Sequence, residues 1–126
     1  VHCNDWMTGL IPLYLKSTYK GDPVFENAKS IFSVYNNNFD HKFGSDIIEK
    51  AMNDDVDKGM LEGLSTGDYH GFIKIGMENA DVVINSAEEA DDKIKALFDD
   101  CKTLNTIVPS EDALETYFDL YTELAK

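Results

Sequence analysis

Apolar residues follow two different rhythms along this chain, and each rhythm predicts a different element. Short β-branched or aromatic runs at Val1–Cys3, Ile31–Tyr35 and Val82–Ile84 read as buried strands, with Thr106–Val108 a weaker fourth. Between them the apolar positions recur at helical spacing. One stripe joins Tyr69, Phe72, Ile73, Gly76, Met77 and Ala80, with Asp68 placed as its N-cap. A second joins Ala90, Ile94, Leu97, Phe98 and Cys101, opened by Ser86 and Glu89 as a capping box. In such a box each side chain satisfies a free backbone donor of the first turn. Ser110 is placed to cap a last helix with the stripe Leu114, Tyr117, Phe118, Tyr121 and Leu124. Near the start, Pro12 suits the first turns of a helix, where a missing N–H costs little. Strands alternating with helices imply a parallel sheet covered on both faces.

The stretch from Asn36 to Gly67 breaks both rhythms. It carries Asn36-Asn37-Asn38, Gly44, Gly59 and Gly63, with short helical pieces expected near Asp46–Met52 and Val56–Leu64. A long connection at the carboxyl end of a sheet is commonly functional.

Composition sharpens the class. A chain of 126 residues is one domain by size, and 43% hydrophobic with 28% charged residues is ordinary for a globular protein. No apolar run approaches the roughly 20 residues of a membrane span. With 24 acidic residues against 11 basic ones, the net charge is −13, so nucleic acid and anionic membranes are poor partners. A neutral polyol stays admissible. Cys3 and Cys101 make no disulfide framework and read as reduced core residues of a cytoplasmic protein. A chain that begins in mid-strand reads as a fragment, and an unpaired strand edge predicts a homo-oligomer.

The candidate chemistry sits where strands end. Asp5 and Trp6 follow the first strand, Tyr35 and Asn36 the second, and Asn85 and Ser86 the third. In open parallel sheets such positions converge on one rim, where ligands bind. An aromatic face beside carboxylate and amide groups suits a sugar, whose C–H face stacks while its hydroxyls bond. Taken by themselves, Asp5 equally fits a helix N-cap and Trp6 equally fits core packing. Other signals fail. From Asn53 the sixth position of a calcium loop is Lys58 rather than Gly, and the twelfth is Leu64 rather than Glu. His2, His41 and His70 lack metal-ligand spacing, and no phosphate-binding glycine loop occurs, so no cofactor is expected.

Three segments resemble one family. Asp5, Trp6, Thr8, Leu10, Pro12, Tyr14, Leu15 and Lys16 fall on the pattern His-Asp-Trp-His-Thr-Ala-Leu-x-Pro-x-Tyr-Leu-Lys of bacterial glycogen synthases and plant starch synthases. Val34, Asn36 and Phe43 match Val-His-Asn-Leu-Ala-Tyr-Gln-Gly-x-Phe, with Phe39 in place of Tyr. Phe72, Lys74, Gly76, Ala80, Asp81 and then Ser86 match a third motif, Phe-x-Lys-x-Gly-x-x-x-Ala-Asp. The resemblance implies the later half of the amino-terminal domain of a two-domain glycosyltransferase of the B fold. As a fold class it implies an α/β, Rossmann-like three-layer fragment with a parallel sheet of three or four strands. The implied reaction passes glucose from ADP-glucose to an α-1,4-glucan, with both as partners of the parent protein.

The departures point the other way. The histidine of the second motif lines the family's catalytic cleft, and here that position is Tyr35; the second histidine of the first motif is Met7. Phenol is too weak an acid to exchange protons near neutrality as imidazole does, and Met has no proton to give. The family's Lys-Thr-Gly-Gly loop and its donor-binding second domain have no counterpart here. The expectation is therefore a fragment of a divergent bacterial relative, inactive alone. Asp5 and Tyr35 would stand in the catalytic cleft, with Trp6 and Asn36 toward substrate. The alternative is a glucan-binding or regulatory relative that kept the fold and lost the chemistry; a flavodoxin-like receiver would need clustered acidic residues after the first strand and a Lys after a late one, which this chain does not show.

Overall fold

The computed structural model describes residues 1–102, 104–107 (backbone only), 111 and 113–126. Four strands, β1 (His2–Asn4), β2 (Ile31–Val34), β3 (Val82–Asn85) and β4 (Leu104–Ile107), form one parallel sheet in the order β1-β2-β3-β4. His2 lies opposite Ile31, Ile31 opposite Val82 and Val82 opposite Leu104, so the carboxyl ends of the strands are level. Helices cover both faces. The expected three-layer α/β architecture is present.

On one face, α3 (Tyr69–Asn79) and α4 (Asp92–Asp100) close over Cys3, Phe32, Val34 and Val83. Tyr69, Ile73 and Met77 supply the helical side of that core, and Ile94 anchors α4 to it. Gly76 allows the close approach: a Cβ there would fall within 2.8 Å of three atoms of the Phe32 ring. On the opposite face, α5 (Ala113–Leu124) packs Ala113, Tyr117, Leu120 and Leu124 against Ile31, Val82 and Ile84. A second apolar cluster lies outside the sheet, where α1 (Ile11–Lys16), α2 (Asp46–Ala51) and a 3₁₀ segment (Gly59–Thr66) bury Leu13, Ile48, Leu61 and Leu64 beside Phe72 and Ile75 of α3. Pro12 stands in the first turn of α1 as expected, and the Tyr14 hydroxyl ties α1 to the Ala51 carbonyl at the end of α2.

Asp68 caps α3 by accepting the Gly71 N–H at 3.0 Å, as its position predicts. The cap of α4 differs. Ser86 and Glu89 do not open that helix; Asp91 does, accepting the Ile94 N–H at 2.8 Å. The inner stripe of α5 also differs. Leu114 and Phe118 are 87% and 68% exposed, while Ala113 and Leu120 join Tyr117 and Leu124 on the sheet. The expected helical piece at Val56–Leu64 is the 3₁₀ segment, shifted toward Gly67, and its left-handed end (φ 65°) is a conformation glycine adopts freely. Ser110 and Val108 lie outside the described residues. Asn53 Oδ1 accepts the Asp55 N–H and Asp57 Oδ1 accepts the Met60 N–H, so that acidic stretch is a pair of turns.

Candidate functional site

The chain leaves β1 through Asp5 and β2 through Asn36, the two non-glycine residues with positive φ among the described residues, at 58° and 61°. Backbone held in that region is costly and concentrates at functional sites. Asp5 is 6% exposed, and its carboxylate accepts three backbone N–H groups. Oδ1 accepts the Trp6 N–H at 2.7 Å; Oδ2 accepts the Tyr35 N–H at 2.9 Å and the Asn37 N–H at 3.4 Å. One carboxylate thus fastens the exit of β1 to the exit of β2. It caps a 3₁₀ turn, Trp6–Thr8, and lines the cleft as well.

The cleft has a volume of about 480 Å³ and is lined by Asn4, Asp5, Trp6, Met7, Tyr35 and Asn37. Three of the four expected site residues meet there. The fourth, Asn36, turns its Nδ2 to the Glu89 carbonyl at 2.7 Å, pinning the segment after β3 over the same rim. Trp6 does two jobs: it lines the cleft, and its ring packs on Phe39, Phe72 and Phe43 at centroid separations of 4.6, 5.7 and 6.3 Å. The Tyr35 ring is 39% exposed, and its phenol titrates above the ordinary tyrosine range because of burial first and the neighbouring Tyr117 second. Beneath the rim, Tyr69 is fully buried, and its phenol is raised much further by burial and by the Asp5 charge. Neither of these phenols is a proton carrier near neutrality.

Not every motif residue belongs to the cleft. Lys16 pairs with Asp81 at 3.3 Å, and Asp81 Oδ2 accepts the Ser30 N–H at 2.7 Å, at the opposite end of the strands. Burial works to raise the Asp81 carboxyl, but the Ser30 donors and the Lys16 ammonium prevail and hold it below the usual range. These residues lock α1 and the entry of β3 onto β2. The motif serves the scaffold there.

One group escaped the sequence reading. His70, in the first turn of α3, has Nε2 3.0 Å from Asp91 Oδ2 and Nδ1 4.0 Å from Asp68 Oδ2, joining the caps of α3 and α4. It borders a larger groove of about 710 Å³ between the 3₁₀ segment, α3 and α4. That groove holds none of the four expected residues and lies outside the rim that gathers them. Only the apolar-stripe phase of Tyr69 and Phe72 could have hinted that His70 faces α4.

Among the described residues no helix is long and apolar enough to cross a membrane. Compared with known proteins, residues 1–107 match the family model of the starch synthase catalytic domain. The glycogen synthase of Desulforudis audaxviator (strain MP104C) is 32% identical over 83 residues, 66% of this chain and 16% of that protein. That of Clostridium perfringens (strain 13 / Type A) is 30% identical over 95 residues, 75% of this chain and 20% of that protein. That of Aeromonas salmonicida (strain A449) is 48% identical over 44 residues, 35% of this chain and 9% of that protein. The chain therefore spans about a fifth or less of these relatives. No solved structure matches it. The family match covers all four strands and the whole cleft rim, and on that basis the chain belongs to the starch synthase catalytic domain family.

Proposed function

We propose that this chain is part of the amino-terminal domain of a cytoplasmic glucosyltransferase, and that it forms the acceptor-side wall of a cleft in which glucose passes from ADP-glucose to an α-1,4-glucan. The observation that carries the reading is the convergence of Asp5, Trp6 and Tyr35 on one cleft at the carboxyl ends of adjacent parallel strands. In this reading Asp5 orders the rim, because its oxygens are already occupied by N–H donors. Trp6 offers the apolar surface a glucose ring stacks on, and Asn36 holds the far side of the rim. Tyr35 occupies the position where the family's histidine is expected. Alone, the chain transfers nothing. Among the described residues β1 pairs with β2 alone, and we propose that this edge pairs with a second copy.

The test uses Trp6, the one tryptophan of the chain. Maltoheptaose is expected to change its emission saturably, and Asp5→Ala to abolish that response. Absence of any response in the folded chain would remove the acceptor-wall reading. Radiolabelled glucose from ADP-glucose is expected to stay out of glycogen; incorporation above a protein-free control would overturn the inactivity. Sedimentation should show dimers at high concentration, and a strict monomer would dismiss the edge pairing. The second reading, a glucan-binding protein without chemistry, draws on Tyr35 and Met7. Restoring histidine at both positions in the intact parent should raise transfer under the first reading and leave it unchanged under the second.

A further inference from the structure

Two surface features of α5 are unfavourable in water. Its outer flank presents Leu114, Phe118 and Tyr121, which are 87%, 68% and 45% exposed. At helical spacing these three fall within an arc of roughly 60°, beside the stripe of Ala113, Tyr117, Leu120 and Leu124 that packs on the sheet. Large apolar groups gathered on one exposed face mark an interaction surface. The flank keeps a fixed aspect, because α5 is keyed to the strands below it. His2 Nε2 lies 2.6 Å from Ser33 Oγ and His2 Nδ1 meets the Tyr121 hydroxyl, while the Tyr117 and Tyr121 rings stack parallel within 10°.

The second feature is charge. Glu115, Asp119 and Glu123 run along the far side of the same flank, all exposed and each four positions from the next. Carboxylates at that spacing repel one another along a helix. On α2, α3 and α4 a lysine one turn away pairs with a carboxylate: Lys50 with Asp46, Lys74 with Glu78 and Lys95 with Asp92. α5 contains no lysine or arginine at all. The helix also begins after residue 107, where the match to the family model ends.

We propose that the outer flank of α5 docks a basic amphipathic helix of a partner protein. The partner's apolar side covers Leu114, Phe118 and Tyr121, and its lysines or arginines meet Glu115 and Asp119 beside them. One ligand then relieves both unfavourable features. A second copy of this chain would bring a further −13 to the same ridge, and an anionic membrane has the wrong sign as well. The surface stands apart from the cleft, so the proposal does not depend on the glucosyltransferase reading.

The probe is a fluorescein-labelled peptide of about 18 leucines and lysines, ordered to give one apolar and one basic helical face. Titrated with the full chain in about 0.15 M salt, its anisotropy is expected to rise saturably. Leu114→Ser and Phe118→Ser should each weaken binding about tenfold, the loss of one large apolar contact. Glu115→Gln combined with Asp119→Asn should weaken it about three- to tenfold. Far-ultraviolet dichroism should stay unchanged in these variants, since the side chains are exposed. Val24→Ser, at an exposed apolar residue outside α5, should leave binding alone. A scrambled peptide of the same composition keeps the charge and loses the face, and should bind about tenfold more weakly or worse. No saturable binding, equal binding of the scrambled peptide, or undiminished binding by Phe118→Ser would overturn the proposal. If Phe118→Ser abolishes self-association in sedimentation and leaves peptide binding intact, a second copy is the occupant and the proposal fails. Attachment to phosphatidylcholine vesicles without peptide binding would defeat it likewise.

Discussion

The two faces of this sheet are built from alternating residues of the same strands, yet they hold their helices by different means. Phe32 and Val34 point into a core where Tyr69, Ile73, Met77 and Ile94 exclude water completely or nearly so. Ile31 and Ser33, their immediate neighbours, face α5, where a serine, an imidazole and two tyrosines share the contact with a few aliphatic groups. The first arrangement is dense, non-directional and deep. The second depends on hydroxyls meeting specific partners, so less area is buried and geometry matters more. A helix held by packing tolerates sliding; one held by aimed hydroxyls is either seated or loose.

This contrast sets an order of expected effects. Phe32→Ala should cost about 3–5 kcal/mol, because the ring is fully buried between the sheet and α3. Equilibrium urea unfolding checks it, and a cost under about 1 kcal/mol would mean the α3 face is looser than described. Gly76→Ala should cost about 1–3 kcal/mol, since the new methyl meets the Phe32 ring and that ring has no space to retreat. Pairing Gly76→Ala with Phe32→Leu should recover part of the loss. Across the sheet, Leu120→Ala should cost only about 1 kcal/mol, because the side chain is half-buried against Ile31, Val82 and Ile84. Comparable losses for Phe32 and Leu120 would erase the distinction between the faces.

The smallest expected effect concerns pH. Burial, and then the nearby terminal ammonium, push the His2 imidazole below its ordinary value of 6.5. In the pH range between the lowered folded value and 6.5 the unfolded chain binds more protons at this site, so stability rises with pH there. The His2 contribution is complete above the unfolded value and disappears as pH falls through the folded one. Urea midpoints followed from about pH 8 down to about pH 5 should therefore decline in the native chain and decline less in His2→Gln. An equal slope in both would show that protonation of His2 does not loosen the α5 face.

The sequence made one of these faces far easier to read than the other. Val82, Val83 and Ile84 announce a buried strand by composition alone, and the stripe from Tyr69 to Ala80 has one phase, so α3 could only face one way. In α5 two apolar stripes share the helix. Ala113, Tyr117, Leu120 and Leu124 form one, Leu114, Phe118 and Tyr121 the other, and periodicity does not choose between them. The cap of α4 failed for a related reason: Ser86 and Glu89 satisfy the capping-box pattern, while Asp91, a favoured N-cap residue with no box partner, sits where the helix actually starts. At the cleft, Asp5, Trp6 and Tyr35 were legible because strand ends in a parallel sheet converge. The same rule missed that Asp5 is engaged by the backbone of the next loop. The network on the far face joins His2 to Tyr121 across 119 positions, which no local pattern records.

Trp6 sits between the apolar core under α3 and α4 and the cluster outside the sheet and packs against both, with Phe39 beside it in the same double role. An indole shared in this way makes the two cores one cooperative unit. Opening either would strip contacts from the same ring and weaken the other, so partial unfolding gains little over complete unfolding. Thermal melting followed by tryptophan emission and by far-ultraviolet dichroism should then trace a single coincident transition. Replacing the indole with a smaller ring, as in Trp6→Phe, should lower stability and pull apart the melting curves read by near-ultraviolet tyrosine dichroism and by far-ultraviolet dichroism.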